Sequence, residues 1–326
     1  MKFFKKEDLS KVVFVSGPTR SGKIILSRII SSLKRAENIR VDHLIEQLPI
    51  MRRLGQITDE ACETLLKYSI HFLIYDNYIG RNSNFKTTDF TSIWNTPDPQ
   101  KYLKRLWSNK KEYGDSSDGD DAIKRIKKEK IIFNMMIHYE LMHIDTYLNA
   151  FPKCHFYNLI RHPVDLIYSW SKKGYSNKFL LNPRNATLMI NYKGKPLPYY
   201  AAGIEDKFTK GNTTEKLVYM INHSMNISNE KFNSLDRNKK RKVRNIIFDD
   251  LVTNPKKIIS KLCHELNTEV TSYTQEILQE ERCPRVIDLV ERKKKLSYIE
   301  KNISKATIKI LEEMINDYEK KNKVNE

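Results

Sequence analysis

The chain has 326 residues, of which 40% are hydrophobic and 30% are charged, a composition that excludes disordered and fibrous proteins. No apolar run approaches the roughly 18 residues of a membrane span, and the opening MKFFKKEDLS carries charges where a secretory signal is apolar, so we expect a cytoplasmic protein without a membrane span. The formal net charge of +18 is compatible with a nucleic-acid binder, a protein near an anionic membrane or an enzyme with a polyanionic ligand.

The first predicted elements are a strand, a glycine loop and a helix. KVVFVSG at 11–17 is typical of a buried parallel strand, and apolar side chains recur at helical spacing from Ile24 to Leu33. Between them, GPTRSGKI at 17–24 nearly matches the phosphate-binding pattern G-x-x-x-x-G-K-S/T, but Ile24 stands where that pattern has its metal-binding hydroxyl. This order of elements points the N–H groups of a helix N-terminus at an anion.

The later elements alternate between strands and helices. Further strands are predicted at NIRVD (38–42), KIIFNMM (130–136), HFYNLI (155–160) and RNIIFDDL (244–251). Helices are predicted at RHPVDLIYSW (161–170), at NPKKIISKLCHEL (254–266) and in the amphipathic C-terminal segment. The alternation indicates an α/β fold, with a mostly parallel central sheet flanked by helices, in a single domain spanning 1–326.

Two long insertions interrupt this alternation. The first, at about 50–125, reads as mostly helical, with an exposed loop at YGDSSDGDD (113–121). The second, at 175–214, shows no clear periodicity and is predicted to be a long loop.

A second candidate anion site follows the strand at 155–160. FYNLIRHPVDLIYSW places Arg161 at the carboxyl end of that strand and Ser169 eight residues later, on the second turn of the next helix. Open parallel sheets bind ligands at the carboxyl ends of their strands, so this arginine and the glycine loop should face one crevice. Two anion sites in one crevice predict a ligand with phosphate at both ends.

On these motifs the chain resembles the sulfotransferases that use 3′-phosphoadenosine 5′-phosphosulfate (PAPS). Their 5′-phosphosulfate loop is similar to PTRSGKIIL (18–26), their 3′-phosphate motif R-x-P-x-D-x-x-x-S is similar to 161–169, and IIFDDLVTNPKKIISKLCHEL (246–266) resembles a later strand and helix of the family. The resemblance covers roughly 12–266. It implies a P-loop-like sulfotransferase fold and transfer of a sulfuryl group to a hydroxyl or amine of an unidentified acceptor: a carbohydrate, lipid, peptide or small molecule. The insertions at about 50–125 and 175–214 are then expected to shape the acceptor pocket.

The resemblance also implies the donor site. Adenosine 3′,5′-bisphosphate (PAP) would be the spent product, and no obligatory metal is implied, which accounts for the missing hydroxyl at Ile24. The 3′-phosphate would be bound by Arg161 and Ser169. Lys23 stands where the family usually has Thr or Ser, and there it would stabilise charge on the bridging oxygen. The loop residues carried over to the 5′-phosphosulfate are Thr19, Arg20, Ser21, Gly22, Lys23 and Ile24.

The general base for the acceptor's proton has two candidate locations. In many relatives it is a histidine just after a central strand, in a K-x-H pattern; His138 holds that place here, although the lysine two residues earlier is Met136. Other relatives use a glutamate after the second strand, where VDHLIEQLP (41–49) offers Asp42, His43 and Glu46. Both locations stay open at this point.

Other functions compete with this interpretation. A P-loop kinase or ATPase needs the metal-binding hydroxyl that Ile24 replaces. A basic nucleic-acid-binding protein without catalysis fits the net charge, but no nucleic-acid module is recognisable, so we expect no nucleic-acid partner. A sulfotransferase that binds nucleotide without turnover is a third possibility. Basic blocks at 124–130, 237–244 and 292–295 suggest the further hypothesis of an anionic acceptor. Four widely spaced cysteines without a C-x-x-C pair predict no metal site.

Overall fold

The computed structural model describes residues 7–96, 98–108, 119–176 and 187–325. Its strands are β1 Lys11–Ser16, β2 Ile132–Met136, β3 His155–Ile160, β4 Met189–Tyr192, β5 Lys195–Pro198 and β6 Val243–Ile247. Its α-helices are α1 Lys23–Ser31, α2 His43–Arg53, α3 Asp59–Tyr78, α4 Pro99–Trp107, α5 Asp120–Glu129, α6 Ile144–Ala150, α7 Pro163–Lys173, α8 Glu205–Lys210, α9 Thr213–Ser234, α10 Arg237–Lys240, α11 Phe248–Thr253, α12 Pro255–Leu266, α13 Ser272–Glu280, α14 Leu289–Glu300 and α15 Lys305–Asn325. No helix in these ranges has the length and apolar character that crossing a bilayer requires.

The central sheet has four parallel strands in the order β2–β1–β3–β6. Phe14 in β1 lies opposite Met135 in β2 and Phe156 in β3, so β1 occupies an inner position. This arrangement confirms the predicted α/β class with a parallel central sheet. It also places the loop after β1 between the chain segments that leave β2 and β3, at the carboxyl edge of the sheet.

Helices cover both faces of the sheet, because β1 alternates its side chains between two cores. Val12 and Phe14 pack into one hydrophobic cluster, built largely from α3, α5 and α6, where the Phe14 and Tyr147 rings lie 4.8 Å apart. Val13 and Val15 pack into another, built from α1 and from α11 to α13. Full burial of both faces explains why β1 reads as a continuous apolar run instead of an alternating one.

The strand predicted at 38–42 is not a regular strand. Isolated parallel bridges join Ala36 to Ile132 and Arg40 to Met135, so the segment runs beside β2 without forming a continuous ladder. Local hydrogen bonds interrupt it: the Asn38 backbone N–H donates to the Tyr102 hydroxyl at 2.6 Å instead of to a strand. The segment then turns into α2.

Two further predictions need correction. The insertion at 175–214 is not a long loop where it is described: β4 and β5 form an antiparallel hairpin, followed by α8 and the start of α9. Lys193 and Gly194 at its turn have φ of 50° and 77°, the left-handed pair of a tight hairpin turn that apolar periodicity does not reveal. The strand predicted at 244–251 ends at Ile247, and the chain enters α11 at Phe248.

The insertion at about 50–125 is mostly helical where described, as predicted, because it contains α3, α4 and the start of α5. Most of the loop predicted at 113–121 lies outside the described residues. Its described end does not continue as a loop, since Asp120 and Asp121 form the first turn of α5.

A buried carboxylate links this insertion to the edge of the sheet. Glu37 has no exposed surface and accepts hydrogen bonds from Arg105 at 2.7 and 3.0 Å and from Asn77 at 2.8 Å, while the Lys101 ammonium lies 2.9 Å away. Burial by itself raises the pKa of Glu37, but the charges of Lys101 and Arg105 and their hydrogen bonds outweigh it and lower the pKa to about 2.

We expect Glu37→Gln to lower the free energy of unfolding by about 3–5 kcal/mol, because it leaves two cations buried without their anion. The folded-state pKa lies below the ordinary value of 4.5, so the ion pair stabilises the fold above that value and the stabilisation is lost as the pH falls towards 2. Urea unfolding across this pH range measures both effects, with the exposed Glu312→Gln as control. A change equal to that of the control would contradict the assignment.

Candidate active site

The loop after β1 has a conformation that only glycine accommodates at two positions. Gly17 has φ of 141°, and a Cβ there would lie 2.7 Å from the Leu159 carbonyl oxygen. Gly22 has φ of 100°, and a Cβ there would lie 2.4 Å from the Phe248 ring. The two glycines therefore let the loop pass close to β3 and under an aromatic ring.

The carbonyl oxygens of this loop are held by the protein. Each of four consecutive carbonyls accepts a hydrogen bond from a backbone or side-chain donor, so none needs a donor from a ligand. The pairs are the Gly17 oxygen with Lys23 Nζ at 2.7 Å, Pro18 with the Ser21 N–H at 3.0 Å, Thr19 with Trp170 Nε1 at 2.8 Å, and Arg20 with the Arg161 guanidinium. Removing these acceptors from the cleft makes the loop more favourable for an anion.

The N-terminus of α1 adds positive character to the same place. The helix begins at Lys23, and the first-turn N–H groups of a helix have no partners within it. The side chain of Lys23 is 4% exposed and lines the cleft beside the loop. Its ammonium and the positive end of the helix dipole therefore occupy one small region.

A cationic corner forms where the loop meets β3 and β6. The Arg161 guanidinium lies 4.7 Å from the centre of the Phe248 ring, and that of Arg285 lies 5.6 Å from the same ring. Arg20 Nε donates to Ser169 Oγ at 3.4 Å. Burial lowers the pKa of Arg161 from its ordinary value of 12.5, and the charges of Arg20 and Arg285 lower it further, against the opposing charges of Asp165 and Asp249.

These cations line a solvent-exposed cleft with a volume of about 890 Å³. Its loop and β3 side carries Arg20, Lys23, Arg161 and Arg285. Its β2 side carries Val41, His43, Asp89, Phe90, Thr91, Met136 and His138. Among the described lining residues, no lysine or arginine comes from the β2 side, so the positive charge of the cleft is concentrated on one of its sides.

The two candidate locations of the base meet in one hydrogen bond. His138, just after β2, places Nδ1 2.8 Å from Oε1 of Glu46 on α2. An ionised carboxylate accepts at this distance, so Nδ1 carries the proton and Nε2 keeps its lone pair. His138 lines the cleft, and His43 lines it nearby at the start of α2.

The environment of His138 favours the neutral imidazole. Burial and the neighbouring Lys23 charge lower the pKa of His138 below its ordinary value of 6.5, against the opposing charge and hydrogen bond of Glu46. A neutral imidazole with one oriented proton is the form that accepts a proton from a bound hydroxyl.

The structure brings most of the predicted site residues to this cleft. Thr19, Arg20, Gly22, Lys23, Ile24 and Arg161 line it together with His43 and His138. Ser21 is fully buried, so its side chain is not presented to the cleft. Ser169 and Glu46 are connected to the cleft by hydrogen bonds to lining residues: Ser169 accepts from Arg20, and Glu46 accepts from His138. Asp42 caps α2 instead, accepting from the Leu44 N–H at 2.8 Å.

Two acidic residues of the motifs brace the site from behind. Asp165 lies at the start of α7 and Asp249 in α11, and both bind Arg292 of α14 at 2.8 to 3.0 Å. Lys295 reaches Asp165 at 2.9 Å. These ion pairs hold the helices that follow β3 and β6 together, and thereby hold the cationic corner in position.

Sequence reasoning missed Arg285. It lies after α13, outside the three motifs, and its backbone N–H is fixed by the Val252 carbonyl at 2.8 Å. Its only signal in the sequence is a basic residue directly after Pro284, which is too common to stand out.

No family model and no curated protein matches this sequence. Among solved structures, the chain is similar to the sulfotransferase domain from the Synechococcus PCC 7002 olefin synthase, at 13% identity over 84% of this chain and 80% of that one, with a TM-score of 0.40. It is similar to the sulfotransferase domain from the curacin biosynthetic pathway, at 15% identity over 86% and 80%, with a TM-score of 0.41. It is also similar to sulfotransferase STF1 from Mycobacterium tuberculosis H37Rv, at 10% identity over 94% and 76%, with a TM-score of 0.43. The function proposed below rests on the site residues.

Proposed function

We propose that the chain is a sulfotransferase that uses PAPS, built as a single domain. The observation that carries this proposal is the meeting of two anion sites and one histidine–glutamate pair at a single cleft. The glycine loop, including Arg20, forms the first anion site with α1, and Arg161 with Ser169 forms the second. The His138–Glu46 pair supplies a base beside them.

The residues present fit a donor with phosphate at both ends. The loop offers helix N–H groups and Lys23, and its carbonyls are already occupied by protein donors. Nε of Arg161 is buried and has no hydrogen-bond partner within the described residues, so a charged donor remains available. The Arg285 guanidinium lies over the same Phe248 ring and supplies a second cation next to Arg161. In this proposal Arg20, Lys23 and Ile24 face the 5′ side, and Arg161, Ser169 and Arg285 face the 3′-phosphate.

The proposed chemistry follows from these positions. PAPS supplies an activated sulfuryl group, and its transfer leaves negative charge on the 5′-phosphate. Lys23 and the α1 N-terminus are fixed next to that place before reaction, which is how preorganised charges lower a barrier. Nε2 of His138 accepts the acceptor's proton, and Glu46 holds the imidazole in the required tautomer and stabilises it once it is protonated. The proposed transfer uses no obligatory metal, so the metal-binding hydroxyl that Ile24 replaces has no role in it.

The β2 side of the cleft is the proposed acceptor side, because it contains His138. Val41, Phe90 and Met136 are apolar, and Asp89 is the acidic residue among them. This lining favours a hydroxyl or amine acceptor with an apolar body. An anionic acceptor would need cations on this side, and among the described residues no lysine or arginine lines it. The lining therefore does not support the hypothesis of an anionic acceptor.

Turnover tests the proposed function directly. The protein is incubated with radiolabelled PAPS and a panel of neutral, cationic and acidic hydroxyl and amine acceptors. We expect label in an acceptor and release of an equal amount of PAP. Turnover of ATP with Mg²⁺ in place of PAPS would instead establish the kinase alternative.

Glu46→Gln should lower kcat and move its pH profile. The carboxylate raises the pKa of His138, so its loss lowers that pKa further. The acid limb of the kcat profile should therefore shift to lower pH, while kcat on the plateau falls about tenfold or more because the imidazole is a weaker and less well oriented base. A profile that keeps its acid limb would show that Glu46 does not act through His138.

A further inference from the structure

The connection after α13 and the first turn of α14 expose three apolar side chains within five residues. Val286 is 93% exposed, Leu289 is 63% exposed and Val290 is 65% exposed. Between them, Ile287 turns inward and packs against a core cluster, so the segment is anchored and not simply extended into solvent. Single exposed apolar residues are ordinary, but several together on a protruding segment mark an interaction site. We call residues 282–294 the tip.

Cations border these apolar side chains on both sides. Arg282 and Arg285 precede them, and Lys293 and Lys294 follow them on α14, all exposed. The one exposed acid of the tip is Asp288, whose carboxylate accepts from the Glu291 N–H at 2.8 Å and so caps the helix.

The opposite face of α14 fixes the orientation of the tip. Arg292 and Lys295 point inward to Asp165 at 2.8 to 2.9 Å. The helix is thus attached to α7 on one face, and its other face continues from the apolar side chains to Lys293 and Lys294. Arg285 lines the cleft, so the tip lies at the edge of the candidate active site.

We propose that the tip docks the protein onto an anionic lipid surface. Val286, Leu289 and Val290 enter the interface between headgroups and acyl chains, while Arg282, Lys293 and Lys294 contact anionic headgroups. The side chain of Val286 projects almost completely, and a lipid surface accepts such a projection without a matching concave partner. A stable protein interface instead needs about 1,200 Å² or more of complementary surface.

The docking proposal does not depend on the enzymatic proposal, because Val286, Leu289, Val290 and the cations Arg282, Lys293 and Lys294 all lie outside the proposed donor and base residues. Docking in this way would turn the edge of the cleft that contains Arg285 towards the lipid headgroups. A protein without sulfotransferase activity could dock in the same way.

Co-sedimentation of the full chain with vesicles tests the proposal. We expect binding to phosphatidylcholine vesicles with about 30% phosphatidylserine, and much weaker binding to pure phosphatidylcholine. The triple variant Val286→Ser, Leu289→Ser, Val290→Ser should bind at least tenfold more weakly. Lys293→Ala and Lys294→Ala should each weaken binding about fivefold. Unchanged melting temperatures of these variants establish that they are folded.

Matched controls use equally exposed residues elsewhere. Leu65→Ser with Phe72→Ser removes apolar surface from α3, and Lys127→Ala with Lys128→Ala removes charge from α5. Absence of sedimentation, or equal losses in these controls, would overturn the proposal. So would full binding by the triple variant, which would indicate charge attraction alone. A change in oligomeric state of the triple variant without vesicles would assign the tip to a protein interface instead.

Discussion

His138→Ala is expected to reduce kcat about 10²- to 10⁴-fold, the usual range for removal of a general base. Because Nδ1 of His138 is hydrogen-bonded to Glu46, Nε2 is the unprotonated nitrogen and can accept a proton. His138 also lines the cleft together with Lys23. Affinity for PAP should stay within about threefold, because this side chain is not among the proposed phosphate ligands. Steady-state kinetics with PAPS and PAP titration of the same variant separate the two quantities.

The control for this variant is His264→Ala on the exposed surface of α12, which should leave kcat unchanged. Unchanged turnover in the His138 variant would transfer the role of base to His43, the other histidine of the cleft. Loss of PAP affinity in parallel with kcat would instead show that the substitution disturbs the loop.

Arg161→Ala is expected to weaken PAP binding about 10- to 100-fold, since a charge-assisted hydrogen bond contributes about 1.5–3 kcal/mol. Arg161 also donates to the Arg20 carbonyl and covers the Phe248 ring, so its loss disturbs the neighbouring cation as well. Arg161→Lys should recover part of the affinity, because it restores the charge without the planar fork. Isothermal titration with PAP measures the effect.

Arg241→Ala is the matched control, because Arg241 is exposed and precedes β6, at the amino end of a strand whose carboxyl end leads to the cleft. Equal affinity in the Arg161 and Arg241 variants would place the 3′-phosphate elsewhere, with Arg285 as the next candidate.

The local part of the site was predictable from the sequence. Strand, glycine loop and helix are adjacent in the chain, and so are β3, Arg161 and the helix that begins at Pro163. Motifs of this kind record backbone requirements, such as the positive φ of Gly17 and Gly22, that depend on few distant contacts.

The pairing of His138 with Glu46 was not predictable, because the two residues are 92 positions apart and meet only through the packing of α2 beside β2. The sequence therefore presented them as alternatives, and the structure joins them. Arg285 was missed for the same reason. The segment 38–42 does not form the expected regular strand, because the Asn38 N–H donates to the hydroxyl of Tyr102, a residue of the first insertion. This contact is also distant in sequence and could not be predicted.

We propose that the cleft binds a nucleotide with phosphates at both ends and needs no metal to do so. A thermal-shift titration with PAP, compared with ATP and Mg²⁺, tests it most directly, since a ligand that binds only the folded state raises the melting temperature. We expect a shift with PAP that is insensitive to a chelator and that in Arg161→Ala needs about 10- to 100-fold more PAP. A shift with ATP and Mg²⁺ alone would contradict it and would identify the loop as a triphosphate site despite Ile24.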